Sequence, residues 1–421
     1  MQMTAQQMGS RPVTISETES PIPALPQDHA VVPLKGLRDR IGLVVILSSI
    51  SFNVLLVIAL MPVISTIAAY YGGGTHGALI AQLLETMSGI GIMVGAPITG
   101  WIAERRIGRR NLLFAALALY GVAGSGCMFF DSPVILLTLR LLQGFGSSGI
   151  AVSTYALVSE RFSGPARSRV VGYQGAFVSL MGIVSLPLAG HIAEGFGGWH
   201  APFALFLGAL IVLPIGILTV PPSIVQPKRT AETHGGSLAG LLPIFILFMP
   251  VYLLANMVNL HISFVLAGDG VSRPSVQSYI MLASSILYML GAFLYGRVVV
   301  RLGYRWTFCA ILSLMAASGL TIGLSHSLTM TAVGVGFSGL SGGFLIPLLT
   351  NLVLNRAPPE ARSRALGFMY TATYIGNFLN PPIMTPLRQA IGNHQVFLAV
   401  GLLLVGAAVA QAVVKRPIVT D

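Results

Sequence analysis

Two charged residues lie inside long apolar runs, and their types set the chemistry such a setting could support. Glu85 is the one carboxylate well inside any of these runs, and Arg140 is the one basic residue left inside another. A carboxyl can take up and release a proton. A guanidinium stays charged, and at membrane depth it costs several kcal/mol unless it faces water, a partner or a bundle interior. Arg140 sits seven residues from the start of its run and Glu85 eight residues into its own. At 1.5 Å per helical residue both are about 10 Å from the same end. Two readings stay open. In one, Glu85 is the protonatable group and Arg140 sets its proton occupancy, differently in different conformations. In the other, Arg140 snorkels outward and Glu85 pairs elsewhere.

The elements that position these groups are membrane spans. Of 421 residues, 54% are hydrophobic and 9% charged, against about 25% charged in ordinary globular domains. A bilayer needs about 20 apolar residues per helix. The breaks predict spans at 41–69, 77–103, 111–130, 133–159, 168–191, 200–220, 241–267, 275–299, 304–325, 329–355, 363–388 and 394–414. The predicted fold is an all-α membrane protein of twelve transmembrane helices in two six-helix halves related by internal duplication. Residues 41–220 form the first half and 241–416 the second. A cytoplasmic linker at 221–240 joins them, with a disordered cytoplasmic tail at 1–40 and a short one at 417–421.

Charge orients the spans. All but three of the 24 lysines and arginines fall on the termini and the loops of one side. The exceptions are Arg140 within a span and Arg273 and Arg388 on the opposite side. Positive loops stay cytoplasmic, so the chain is expected to cross a cell (plasma or inner) membrane many times with both termini on the cytoplasmic side. The net charge of +11 is thereby a topology signal and points to no nucleic-acid partner. Cys127 and Cys309 lack metal-type spacing, and neither a metal nor another cofactor is expected.

Duplication is written in the loops. The segment SERFSGPARSRVVGYQ at 159–174 returns at 354–369 as LNRAPPEARSRALGFM, and its Ala-Arg-Ser-Arg core moves by 195 positions. The same offset carries Gly108 to Gly303, Arg110 to Arg305 and Pro187 to Pro382. Repeats of this length in apolar sequence indicate a transporter of two parallel halves. The halves differ where charge matters, because Glu85, Glu104 and Arg140 meet Ile280, Val300 and Val335. The first half is therefore expected to hold the proton chemistry.

In its repeat, its charge placement and the motifs that follow, the chain resembles the major facilitator superfamily, and most closely its drug:proton antiporters. Between the second and third spans, GWIAERRIGRR from Gly100 is similar to the family's cytoplasmic signature, with one extra residue between Glu104 and Gly108. The resemblance implies that Gly100, Glu104, Gly108 and Arg109 form a conformational latch between the halves; the alternative is a basic loop that only anchors inside. In the fourth span LTLRLLQGFGSSG, with Arg140, Gln143 and Gly144, resembles the motif associated with proton coupling. In the fifth span Gly182, Pro187 and Gly190 resemble the antiporter kink, although Leu186 and His191 replace two of its glycines. A proline there removes one backbone bond and bends the helix.

Helices one, four, seven and ten line the cavity in this family. That implies substrate-cavity roles for Asn53, Gln143, Asn256 and Asn259, and Tyr374 and Asn377 of the eleventh span offer further polar contacts. Each asparagine also fits an interhelical hydrogen bond, and His191 and His261, near outer span ends, fit interface positions. The expected function is secondary active transport by alternating access, as proton-coupled export of a small amphipathic compound. Protons, a small molecule and the lipid bilayer are the expected partners, with a monomer as the working unit. The alternatives are proton-coupled uptake of an organic anion on Arg140, and a non-transporting membrane sensor. An enzyme is not expected. Gly144, Gly146 and Gly149 mimic a dinucleotide fingerprint, and Gly339, Ser341 and Gly343 a nucleophile elbow, but neither follows a strand.

Overall fold

A computed structural model describes residues 36–103, 108–162, 164–222, 239–358 and 362–414. Residues 1–35 of the expected first tail, the short C-terminal tail, most of the linker and Glu104 lie outside the described residues, as do the side chains of both Ala-Arg-Ser-Arg segments; residues 37–40, expected in the disordered tail, instead open the first helix. The described chain is helical. In order it forms α1 (Leu37–Ser49), α2 (Phe52–Ile58), α3 (Ile64–Tyr70), α4 (Gly74–Ala103), α5 (Arg109–Gly126), α6 (Pro133–Arg161) and α7 (Gly164–Gly195). A 3-10 stretch, Gly198–Phe206, then leads into α8 (Leu207–Thr219). The rest comprises α9 (Leu242–Ala255), α10 (Met257–Gly268), α11 (Pro274–Gly323), α12 (Leu328–Arg356), α13 (Arg362–Ile391) and α14 (Asn393–Val413).

Ten of these helical stretches are long and apolar enough to cross a membrane. Two departures from the expected layout have local causes. The eighth and ninth predicted spans run together as the 50-residue α11, broken only at Gly303, where φ is 73°. Gly108 has a φ of 66° at the start of α5. Left-handed backbone at both points suits a residue without a Cβ. Helix α13 stays outside the ten because Pro381, Pro382 and Pro386 and several polar residues dilute its apolar content.

The first and seventh spans are also broken. Ser48 and Ser49 each bond back to the Val45 carbonyl, a pattern that bends helices, and Pro62 opens a 3-10 turn before α3. Asn256 separates α9 from α10, with φ −85° and ψ 0°. Such breaks leave carbonyls short of intrahelical donors, and two of these carbonyls are used in the site below.

Two apolar cores form, one within residues 45–220 and one mainly within 241–404 that also takes in Met61 and Leu186. Leu60, Ile64, Leu84, Leu117, Phe203 and Phe206 belong to one, and Phe248, Ile262, Ile311, Leu348, Val353 and Phe397 to the other. Glycines let helices approach closely, as bilayer packing favours. A Cβ on Gly144 would lie 1.9 Å from the Ser88 carbonyl oxygen, and one on Gly339 2.1 Å from that of Ser284. The glycines that mimic a nucleotide fingerprint are thus packing surfaces. Ile211, Ile215, Leu402, Leu403 and Val409 stay exposed on α8 and α14, the places where lipid would cover them.

Several contacts recur at the sequence offset. Arg110 Nη2 donates to the Ile217 carbonyl at 2.7 Å, and Arg305 Nη2 to that of Ala412 at 2.7 Å. Arg109 Nη1 meets Glu160 Oε1 at 2.7 Å, and at the corresponding positions Asn355 Nδ2 donates to Tyr304 Oη at 2.8 Å.

The halves meet through α4 against α13 and α7 against α11. Contact is closest toward one end, which holds the turns after Tyr70, Gly195 and Gly268. There a Cβ on Gly190 would stand 2.7 Å from the Pro274 carbonyl oxygen, whereas one on Gly175, four turns away, would meet nothing within 4 Å. Along α4, Gly89 abuts the Tyr374 ring and Gly100 faces open space. The halves are sealed at the first end and diverge toward the other.

Candidate functional site

Arg140 is fully buried in the first half. Its Nε donates to the Leu84 carbonyl at 2.7 Å, Nη1 to Gln143 Oε1 at 2.6 Å, and Nη2 to the Leu56 carbonyl at 2.8 Å and Ser88 Oγ at 3.4 Å. The Phe206 ring lies 5.8 Å from the guanidinium carbon. Leu56 belongs to the last turn of α2, where carbonyls lack intrahelical donors. One side chain of α6 thus ties together α2 and α4, and it does not snorkel.

Glu85 is 4% exposed, and its Oε2 has no hydrogen-bond partner. It lies within electrostatic reach of Arg140, yet among the described residues no hydrogen bond or ion pair joins them. The guanidinium is spent on carbonyls, an amide and a hydroxyl. What results is a buried carboxyl beside a fixed positive charge, a group that can exchange a proton.

Gln143, expected to line the cavity, is instead buried at 0% exposure against Arg140. The other expected cavity residues are partly buried. Asn53 Oδ1 accepts from Ser147 Oγ of α6 at 2.5 Å. Asn256 Oδ1 accepts from Asn259 Nδ2 at 3.2 Å, and Asn256 Nδ2 donates to the Tyr252 carbonyl at 3.3 Å. Tyr374 packs on Gly89 across the halves, and Asn377 follows one turn along α13.

Sequence reasoning missed the tyrosines around them. Tyr155 of α6, Tyr252 of α9, Tyr288 of α11 and Tyr370 of α13 lie within electrostatic reach of one another or of Tyr374. Their signal was periodic. Tyr252, Asn256 and Asn259 stand at i, i+4 and i+7, as do Tyr370, Tyr374 and Asn377, so each trio occupies one helix face.

At the sealed end a second polar group was also missed as a unit. Gln82 Nε2 donates to the Leu260 carbonyl at 2.8 Å and lies 3.2 Å from His261 Nδ1, while Gln82 Oε1 accepts from Thr385 Oγ1. His261 Nε2 is 2.9 Å from Asn380 Oδ1, and Asn380 Nδ2 donates to the Leu253 carbonyl at 2.7 Å. All four side chains have 0% exposure. His261 is therefore interior, not at the membrane-water interface. Nearby, Ser263 Oγ is 2.8 Å from Ser65 Oγ and 2.6 Å from Gln277 Oε1. Glu194 accepts from the Ser275 amide at 3.1 Å, from Ser275 Oγ at 2.6 Å and from Arg273 at 3.2 Å, so a first-half carboxylate caps the start of α11.

Of the expected latch, Glu104 lies outside the described residues, Gly100 faces open space and Gly108 opens α5. Arg109 pairs with Glu160 within the first half. The expected kink residues sit in α7. Gly182 lies beside Ile58 of α2, Gly190 against the start of α11, and the Pro187 carbonyl oxygen is 2.9 Å from His191 Nδ1.

Comparisons with known proteins agree with this architecture. A nucleoside transporter of solved structure, NupG, superposes with a TM-score of 0.71 at 15% identity, covering 90% of this chain and all of its own. The chloramphenicol resistance protein of Pseudomonas aeruginosa is 34% identical over 139 residues, 32% of this chain and 32% of that protein. The putative multidrug resistance protein MdtD of Pectobacterium carotovorum is 25% identical over 336 residues, 78% of this chain and 62% of that protein. The chain therefore spans less than two thirds of the length of these two relatives. The sequence profile of the Major Facilitator Superfamily matches residues 41–272 and again 244–419. This multi-pass membrane protein belongs to the major facilitator superfamily of transporters and is not an enzyme.

Proposed function

We propose that the protein is a proton-coupled exporter of a small amphipathic compound, working by alternating access between two duplicated six-helix halves. The observation that carries the reading is the state of Arg140 and Glu85. The guanidinium is sealed from the cleft by its own acceptors, while the neighbouring carboxyl retains an unpartnered oxygen. That division suits a proton site better than a cargo site. Uptake of an organic anion on Arg140 would need the guanidinium to face the cleft, and it is fully buried.

Twelve helices follow if α11 is counted as two across Gly303 and α13 is included. The contacts repeated at the 195-residue offset support common descent of residues 41–220 and 241–416. Basic residues gather at the divergent end, so that end is read as cytoplasmic and the state as open to the inside, with both termini there. A bacterial inner membrane and a monomer complete the reading.

Cargo would meet Asn53, Asn256, Asn259, Tyr374 and Asn377 together with Tyr155, Tyr252 and Tyr370. Phenol rings and amides without a formal charge suit an aromatic amphipath, and the resistance functions named for two relatives point the same way. Vesicles reconstituted with the protein and given a pH gradient test the reading. Export-type exchange moves cargo against the proton flow. Flux in the same direction as protons, or no flux, would overturn it.

A further inference from the structure

The proton site and the seal between the halves share two turns of one helix. Glu85, the Leu84 carbonyl and Ser88, all near or bonded to Arg140, lie on α4 within six residues of Gln82, the side chain that grips the other half. Gln82 and Glu85 are three residues apart and so are neighbours on the helix surface. The stretch is braced internally, with Thr86 Oγ1 donating to the Gln82 carbonyl at 3.1 Å and Ser88 Oγ to that of Glu85 at 2.8 Å.

We propose that Gln82 is the positioning residue that transmits the proton state of Glu85 to the seal between the halves. The inference rests on the reading of Glu85 as the proton-binding group. Arg140 holds α4 to the first half at Leu84 and Ser88, and Gln82 holds the same two turns to α10 and α13. A change in charge on Glu85 alters the force between α4 and the fixed guanidinium. Because a helix moves as a unit, any shift at Glu85 is imposed on Gln82 one turn away.

The seal responds steeply because it is complete. Both polar atoms of Gln82 and both of Asn380 are partnered without exposure to water. Displacing Gln82 removes the acceptor of the Thr385 hydroxyl and the donor facing His261 Nδ1, along with a supplementary donor to the Leu260 carbonyl, and buried polar groups left unpaired are costly. Other charged and titratable groups frame the turn. On the first-half side are Arg140, and behind it Tyr120, whose hydroxyl donates to the Phe52 carbonyl at 2.7 Å, and Cys127. Across the seal are His261 and Arg388, the latter 4.0 Å from the Phe264 ring and 2.8 Å from Asn393 Oδ1. None of these sits on α4, whose other titratable side chain, His76, is exposed in the first turn away from the seal's buried bonds, so Glu85 is the buried titratable group whose change acts on that helix directly.

The test uses spin labels on cysteines replacing Phe196 and Ser327, exposed positions at the sealed end of the two halves, in full-length protein in lipid nanodiscs at acidic and alkaline pH. The wild-type distance distribution is expected to shift with pH and the Glu85→Gln distribution to be fixed. Gln82→Leu should move the open-to-closed ratio by about tenfold, as expected for stranding buried partners, and abolish its pH response. Proton uptake, read by an indicator dye, should persist in that variant. Thr385→Val, which removes one bond, should shift the ratio less and serves as the test if Gln82→Leu fails to fold. If Glu85→Gln fixes the distribution but neither variant at the seal alters it, the role of Gln82 is overturned alone. If Glu85→Gln keeps the wild-type pH response, the reading of Glu85 fails first.

Discussion

Arg140 Nη1 stands 2.6 Å from Gln143 Oε1, one turn along the same helix. The spacing gives the Arg-x-x-Gln pattern a physical sense. The amide fixes one arm of the guanidinium while the others reach carbonyls on α2 and α4. Lysine could keep the charge but not the three directions. Arg140→Lys is therefore expected to lower stability by about 2 kcal/mol or more, since several buried acceptors lose their donor. Thermal unfolding of the purified protein in detergent checks this; a midpoint equal to wild type would count against the described geometry.

Small residues in the helix contacts make a sharper structural prediction. Gly144→Ala would place a methyl against the Ser88 carbonyl, and Gly339→Ala one against that of Ser284. Each is expected to cost about 1–3 kcal/mol from overpacking. Gly175→Ala, inside α7 where nothing lies within 4 Å, should not lower the melting temperature and should raise it slightly, since alanine favours helix over glycine. The three melting curves, measured side by side, decide it.

The tyrosines of the cleft should affect cargo more than stability. Once a cargo is found by ligand-induced thermal shift, Tyr370→Ala is expected to raise its KM by about tenfold, the scale of losing one aromatic contact. Tyr370→Phe should recover most of that loss. Unchanged KM in both variants would remove α13 from the cargo site.

Outside the spans, Tyr71 donates to the Asp131 carbonyl at 2.6 Å. Burial, and then the Asp131 carboxylate, push its phenol up to about 12. The folded state thus holds this proton more tightly than the unfolded chain does. The associated stability is complete below the ordinary phenol value near 10 and is lost as pH rises from there through about 12. In an alkaline titration followed by tyrosinate absorbance, Tyr71→Phe should remove a component with its midpoint near 12.

The membrane fold was legible because its causes are local. Apolar length gave the membrane-crossing helices, arginine placement the expected orientation, and the displaced Ala-Arg-Ser-Arg core the proposed repeat. The continuous helix across Gly303 and the polar, proline-rich α13 are where the structure departs from the expected count of spans. The site was only partly legible. Arg140 and Glu85 stood out as charges in apolar sequence, but the carbonyls that hold Arg140 carry no sequence signal, so its partners could not be foreseen. Gln143 was misplaced for the same reason. The seal joins α4, α10 and α13, segments up to about 300 residues apart, and spacing within a chain does not reveal which helices meet.

The claim that Glu85 carries the coupled proton is tested most directly by comparing wild type and Glu85→Gln in vesicles, following internal pH and cargo together. The variant is expected to exchange labelled for unlabelled cargo at equal pH, yet neither to dissipate an imposed pH gradient on cargo addition nor to accumulate cargo against its own gradient. Gradient-driven accumulation by Glu85→Gln at the wild-type rate would contradict the claim.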